Sequence, residues 1–305
     1  MNVLLVGLGS IAKKHIMALN SIDTSFCIYA LRSSINSKSF DTVYNIYTIE
    51  ELNDKKIDFA IVSNPTAEHK RTIELLLPLQ CPLFIEKPIY HKTNIQDIVD
   101  KIKEKKILTY VACNLRFLEC LNYIKKVIIS DKKILNEINV YCGSYLPEWR
   151  PNINFRDIYS VNPDMGGGVH IDLIHEIDYL YWLFGMPEET KTVFRSRSSI
   201  GIKAYDYANY CLIYNSFCAS VVLNYYRKDT KRTLELVFED ETWIVDLRKN
   251  IIMSQDKIIF KSDQDIIDTY LDQMNYFVQL VKTNKKTSFN AIEDAYNVLK
   301  ICLEK

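Results

Sequence analysis

The chain predicts an α/β architecture in two parts, an N-terminal doubly wound parallel sheet followed by an α+β domain, and three observations carry that expectation. Short β-branched runs alternate with longer helical patterns at the start of the chain; strand-like segments follow one another later; and 305 residues suit two domains at about 150 residues each.

In order, Val3 to Val6, Phe26 to Leu31, Phe59 to Ser63, Leu83 to Glu86 and Leu108 to Ala112 read as strands. Between them, Ile11 to Ser21, Glu68 to Leu77 and Ile95 to Lys105 carry apolar residues at helical spacing. This β-α alternation predicts a Rossmann domain over 1–118. The rhythm then changes to one amphipathic helix, an irregular Pro-, Tyr- and Trp-rich stretch from Ser144 to Pro163, a glycine run and another helix. Tyr207 to Tyr214, Cys218 to Tyr226, Thr233 to Glu239 and Thr242 to Asp246 read as strands, closed by helical segments Ile266 to Lys282 and Asn290 to Leu303. Together they predict an α+β domain over 119–305. No repeat, low-complexity tract or flexible linker interrupts the chain.

Charge narrows the function classes. Thirty-eight basic and 38 acidic side chains balance, which removes the broad attraction that binders of nucleic acid and anionic membranes use. The basic runs Lys101 to Lys106 and Lys125 to Lys126 lie in helical spacing near Asp100 and Glu104, as solvated helix faces do. The eight cysteines are scattered, without a Cys-x-x-Cys pair or zinc spacing, and read as reduced, mostly buried thiols of a cytoplasmic protein. Met1 and Asn2 lead straight into an apolar run with no basic region ahead of it, unlike an export signal. No segment reaches the roughly 18 apolar residues that span a bilayer.

Gly7-Leu8-Gly9-Ser10-Ile11-Ala12 follows the first strand and opens a helix. It has the G-x-G-x-x-A form of the dinucleotide fingerprint: Gly7 makes the turn, Gly9 admits the pyrophosphate, and Ala12 permits close helix–sheet packing. Helix N-terminal amides then meet the phosphate charge. The alternative is a plain turn. At the end of the second strand an acidic residue would hydrogen-bond the ribose of NAD, but the chain reads Arg32-Ser33-Ser34. An arginine fork suits a 2'-phosphate, so NADP(H) is expected over NAD(H); the alternative is a surface arginine.

Further segments resemble, in order, the glucose-fructose oxidoreductase, inositol dehydrogenase and MocA-like family (Gfo/Idh/MocA). They are Ser63-Asn64-Pro65-Thr66 with His69, Glu86-Lys87-Pro88, Asn114-Leu115-Arg116-Phe117, and the stretch from Gly166-Gly167-Gly168 through Asp172 and His175 to Asp178. The resemblance implies a Rossmann domain and a C-terminal α/β domain with an open mixed, mainly antiparallel sheet, commonly used to form a homodimer or homotetramer. It also implies reversible hydride transfer at a secondary alcohol of a sugar, sugar derivative or cyclitol. Asn64, Pro65, Thr66, His69, Glu86, Lys87, Asn114 and Arg116 are then expected to line the cofactor site. The Lys87-Pro88 bond is cis in many such relatives.

Removing a hydride from a secondary alcohol requires a base for the hydroxyl proton, and histidine titrates near working pH. A lysine ammonium stabilises the developing alkoxide. Lys87 is the expected lysine, because it follows a strand at the ligand-collecting edge of the sheet. Asp172 and His175, three apart on one expected helix, place a carboxylate beside a histidine. The family's commoner spacing would put the second partner at Glu176, but some relatives read Asp-Leu-x-His-Glu, so the resemblance implies His175 as the group that moves the proton, with Glu176 as the alternative.

Trp149, Arg150, Arg156 and Tyr159, ahead of the glycine run, offer aromatic faces and guanidinium forks to a sugar bearing a carboxylate or phosphate, with a loop folded over its own domain as the alternative. His170 reads as a structural histidine, and His15 and His91 as packing or surface residues. Tyr205, Tyr207, Tyr210 and Tyr214 read as sheet faces or a subunit interface. The expectation is a cytoplasmic NAD(P)-dependent sugar or cyclitol oxidoreductase with no nucleic-acid or membrane partner and no metal. Two alternatives are a non-catalytic dinucleotide or sugar sensor and an enzyme that cleaves glycosidic bonds by transient oxidation.

Overall fold

A computed structural model describes residues 1–34, 40, 42–52, 55–131 and 133–304 of the chain. Its contacts form two compact units, Met1–Cys113 with Tyr270–Leu299, and Asn114–Thr269 with Lys300–Lys305.

The sheet of the first unit contains β1 (Asn2–Val6), β2 (Cys27–Leu31), β3 (Tyr44–Ile46), β4 (Phe59–Val62), β5 (Leu83–Glu86) and β6 (Thr109–Ala112). They lie in the order β3-β2-β1-β4-β5-β6, all paired parallel. β4, β5 and β6 are buried at every position, which is why they read as largely apolar runs rather than alternating ones. Helix α1 (Ser10–Ile22) turns Ala12, His15, Ile16, Ala18 and Leu19 inward at helical spacing; α2 (His69–Leu76) and α3 (Gln96–Glu104) follow β4 and β5. The strand order reverses between β1 and β4, so the loops leaving those two strands flank the crevice where doubly wound sheets bind ligands.

In the second unit α4 (Glu119–Asp131) leads into the long strand β7 (Leu135–Tyr145). Short helices α5 (Val169–Asp172) and α6 (His175–Phe184) precede β8 (Glu189–Arg195), β9 (Tyr207–Ile213), β10 (Cys218–Asn224), β11 (Tyr226–Phe238), β12 (Thr242–Asp246), β13 (Ile251–Ser254) and β14 (Lys257–Lys261). The eight strands run β14-β13-β12-β11-β7-β10-β9-β8. β7 pairs parallel with β10 and antiparallel with β11, and the other neighbours are antiparallel. One face carries the core, through Ala208, Tyr210 and Leu212 of β9, Ala219, Val221 and Leu223 of β10, and Leu234 and Leu236 of β11. Of the four tyrosines, Tyr207 and Tyr210 lie in β9 and Tyr205 and Tyr214 flank it: Tyr210 is fully buried and donates to the Cys302 carbonyl at 2.9 Å, Tyr205 stacks on Phe194 and Tyr214 on Phe217.

Helices α7 (Asp268–Lys282) and α8 (Ile292–Leu303) end the chain. Where the sequence suggests one boundary at 118, contacts divide the chain after Cys113 and return most of both helices to the first unit. The cause is packing. The Phe277 ring centroid lies 5.4 Å from Phe59 and 5.5 Å from Phe84, and Asn290 Nδ2 donates to the Val111 carbonyl at 2.8 Å.

Strands β3, β7, β8, β13 and β14 go beyond the segments read from the sequence. β3 has three residues, too few to show a period. β7 carries Asn136, Glu137 and Asn139, residues of low strand propensity that its central position overrides. No described helix is long and apolar enough to cross a membrane.

Candidate active site

In the first unit the glycine loop is fixed by backbone geometry. Gly7 sits at φ +88°, and a Cβ there would lie 2.6 Å from the Asn64 backbone, so only glycine fits. Ser63 Oγ holds the turn by donating to the Val6 and Gly7 carbonyls at 3.1 and 2.9 Å. At Gly9 a Cβ would meet nothing within 4 Å. Gly9 also caps α1 without a side-chain hydrogen bond, leaving Ser10, Ile11 and Ala12 amides at a helix N-terminus where an anion is favoured. Ala12 is fully buried against the sheet.

The loop after β4 lies against this turn. Asn64 Nδ2 donates to Thr72 Oγ1 at 2.7 Å, while Asn64 Oδ1 is buried without a hydrogen-bond partner among the described residues. An orphaned buried acceptor is costly unless a ligand supplies a donor. The open space at Gly9, the helix end without a side-chain cap and this acceptor together fit a dinucleotide. Pro65 is exposed and Thr66 buried.

At the end of β2, Arg32 Nη1 donates to Asn45 Oδ1 at 2.6 Å, and the Arg32 amide to the Ile46 carbonyl at 2.8 Å. The missed strand β3 thus fixes the guanidinium, with Ser33 and Ser34 exposed beside it.

His69, expected at the cofactor, is buried between two loops. It is 1% exposed, with Nδ1 3.0 Å from the Pro88 carbonyl and Nε2 3.0 Å from that of Asn64. It joins the loops after β4 and β5, and burial holds its pKa below the usual histidine value. Glu86 ends β5, and the half-buried Lys87 precedes a cis peptide bond to Pro88. Glu86 is tied from two sides: His15 Nε2 lies 2.7 Å from Oε1, and the Lys87 amide donates to Oε2 at 3.2 Å. His15, expected as a packing or surface residue, is fully buried, as packing requires, and has a polar partner there.

In the second unit the glycine run brings two segments together. A Cβ on Gly167 would lie 2.2 Å from the Tyr159 carbonyl, so glycine allows residues 159–160 to pack against the start of α5. Tyr159 then donates its hydroxyl to Asp172 Oδ1 at 2.7 Å, and the fully buried Tyr225 donates to Oδ2. Burial and the nearby Asp172 carboxylate raise both phenol pKa values, which keeps them as donors. Tyr225 escaped the sequence reading; it is continuous with an apolar strand run, and only the fold aims its hydroxyl at Asp172.

The single helix expected for Asp172 and His175 is two. α5 ends at Asp172 and α6 begins at His175, with Leu173 and Ile174 forming the bend. His175 is 9% exposed. Glu176, the other candidate proton carrier, is fully buried and accepts from Arg232 Nε at 2.9 Å. His170 packs edge-on against Tyr205 and beside Phe194, as a structural histidine.

Two residues expected at the cofactor are held within this unit. Asn114 Nδ2 donates to Thr269 Oγ1 at 2.7 Å. Arg116 forms a buried two-pronged pair with Asp178, at 2.9 and 2.7 Å. In the loop ahead of the glycine run, Trp149 meets Tyr225 edge-on at 5.3 Å and donates to Ser144 Oγ at 2.9 Å. Arg150 is exposed. Arg156 donates to the Gly201 carbonyl at 2.9 Å, so part of its fork ties this loop to the segment between β8 and β9.

A doubly wound sheet with a glycine loop shaped for a dinucleotide, in a chain that also carries an aspartate fixed by two phenols, defines a nucleotide-dependent oxidoreductase. Residues 1–113 match the family described as oxidoreductase, NAD-binding Rossmann fold, and residues 131–302 match its C-terminal alpha/beta domain. The chain belongs to the Gfo/Idh/MocA oxidoreductase family. Its fold is that of UDP-N-acetylglucosamine 3-dehydrogenase GnnA from Acidithiobacillus ferrooxidans, with TM-score 0.79 and 14% identity over 100% of this chain and 96% of that one. Myo-inositol 2-dehydrogenase from Lactobacillus plantarum gives TM-score 0.81 and 17% identity, covering 99% and 95%. A levoglucosan dehydrogenase in complex with NADH and levoglucosan gives 0.83 and 14%, again covering 99% and 95%. Among curated proteins, none matches the chain.

Proposed function

We propose that the chain transfers a hydride between NADP(H) and a secondary alcohol or ketone of a sugar, nucleotide sugar, sugar acid or cyclitol. The observation that carries the reading is Asp172, held by Tyr159 and Tyr225 immediately ahead of the bend to His175. A carboxylate fixed in this way suits a neighbouring group that moves a proton. The substrates named for the structural neighbours are polyhydroxylated rings, consistent with this class.

A bound dinucleotide supplies or accepts the hydride at its nicotinamide ring. His175 takes the hydroxyl proton in oxidation and returns it in reduction. Asp172 stabilises the charged imidazole, and Lys87 stabilises negative charge on the reacting oxygen. Glu176 is left out of the proton step because its carboxylate serves Arg232. Arg32, set by Asn45, favours the 2'-phosphate of NADP(H). Trp149, Arg150, Arg156 and Tyr159 belong to the substrate side, and residues 119–305 to substrate binding and assembly. The same reading makes the protein cytoplasmic, a homodimer or homotetramer through the second sheet.

The test is a binding titration of NAD(H) against NADP(H), then a turnover screen over nucleotide sugars, free sugars, sugar acids and inositols. NADP(H)-dependent turnover of one class, lost in Lys87→Ala and His175→Ala, is expected. A preference for NAD(H) overturns the role of Arg32. Tight binding without turnover gives a sensor instead, and bond cleavage with no net nicotinamide change gives a glycoside-cleaving enzyme.

A further inference from the structure

We propose that His15 is a positioning residue for Lys87, acting through Glu86. His15 lies on α1, the helix whose N-terminus the glycine loop opens, and it is fully buried. Its Nε2 is 2.7 Å from Glu86 Oε1. Its other nitrogen, Nδ1, has no hydrogen-bond partner among the described residues, so the ring proton belongs on Nε2, where the Glu86 carboxylate accepts it. Phe84 and Glu86 stand two apart on β5 and therefore share a face. The His15 ring meets Phe84 edge-on with centroids 4.9 Å apart, which sets the plane in which Nε2 points at Glu86.

Glu86 passes this constraint on. Its second oxygen accepts the amide of Lys87 at 3.2 Å, so one carboxylate joins the phosphate-side helix to the backbone that carries the lysine. The three groups come from α1, the end of β5 and the loop after it, with His15 and Glu86 71 residues apart along the chain. A residue serving only to fill the core would need no charged partner there. A polar group this deep persists when it is paired and when the geometry it fixes is used. This inference rests on Lys87 acting at the reacting oxygen, as proposed above.

The experiment compares His15→Gln, His15→Asn and His15→Leu. Gln carries an amide donor on a chain long enough to reach Glu86; Asn carries the same group one methylene short; Leu keeps the bulk without a donor. Three quantities are read: kcat at saturating substrate, dinucleotide Kd by nicotinamide fluorescence, and the rate at which an amine-directed acylating reagent labels Lys87 relative to Lys191, by peptide mass spectrometry. Asn and Leu should lower kcat about tenfold and change relative Lys87 labelling at least threefold, with dinucleotide Kd held within threefold. Gln should stay within threefold of wild type on all three. Unaltered kcat and labelling in Asn and Leu, or a Gln variant as impaired as Leu, overturns the proposal. If Leu fails to fold, the Asn and Gln pair decides. If wild type turns over no substrate, the reading of Lys87 fails, and the labelling still shows whether His15 governs that lysine's setting.

Discussion

The two halves of the candidate machinery are built from different materials. In the first unit the dinucleotide loop is backbone: Gly7 is forced by φ +88° and by Asn64 at 2.6 Å, and Gly9 faces open space. In the second unit the proposed acid–base group is side chain, with Asp172 held by phenols 13 and 53 residues away in sequence. A backbone site is local, so a short motif announces it. A side-chain site converges through the fold, so its parts look ordinary one at a time.

The largest break falls on the chemistry, which neither half supplies by packing. Lys87→Ala and His175→Ala should each lower kcat by about 10²- to 10⁴-fold, with the far-ultraviolet circular dichroism spectrum of wild type. Glu176→Gln should instead lower stability, read as a drop in Tm, because it removes the buried charge that pairs with the half-buried Arg232.

The backbone half is tested next by two alanines. Gly7→Ala should cost about 3 kcal/mol of stability, through positive φ and collision with Asn64. Gly9→Ala should fold normally and weaken dinucleotide binding, since its methyl group enters only the space kept for the ligand. Denaturant unfolding and nicotinamide fluorescence separate the two effects. Equal stability loss at both positions would break the comparison.

In the side-chain half, Tyr225→Phe should cost about 1–3 kcal/mol by leaving one oxygen of the buried Asp172 carboxylate without its donor. Tyr159→Phe should cost less, because Tyr159 is only half-buried. Both should lower kcat more than they raise KM. Arg32→Ala should reduce the preference for NADP(H) over NAD(H) by about tenfold, or about 1.4 kcal/mol, in paired titrations.

The smallest expected effect is in pH. Burial lowers the His69 pKa, so between the unfolded value of about 6.5 and the lower folded one the unfolded chain takes up a proton that the folded chain refuses. The stability owed to neutral His69 is complete above that window and is lost as pH falls through it. Melting scans from pH 7.5 to 5 should show a fall in Tm that is shallower in His69→Gln. His91, also lowered by burial, contributes in the same direction.

The same contrast explains what was legible. The Rossmann half could be read because β1, β4, β5 and β6 are short apolar runs separated by helices, and because Gly7 and Gly9 have few substitutes. Strand β3, three residues long, could not be read, and with it went the Asn45 contact that fixes Arg32. The long β7 was hidden by its asparagines, since strand propensity there yields to pairing on both sides. The motif reading places Asp172 and His175 on one helix, and the break between α5 and α6 at Leu173 and Ile174 carries no Gly or Pro that would announce it. His15 had a visible signal: it lies three residues after Ala12 and four before Leu19, on the buried face of α1.

The central claim, hydride transfer by this chain, is tested most directly by isotope transfer. Reduced dinucleotide carrying deuterium at both C4 positions of the nicotinamide is incubated with wild-type protein and the keto forms of the substrate panel, and the products are examined by mass spectrometry. One keto class should gain a single deuterium on the new carbinol carbon, and Lys87→Ala and His175→Ala should suppress that gain. Dinucleotide bound tightly, with its deuterium retained across the whole panel, would contradict the claim.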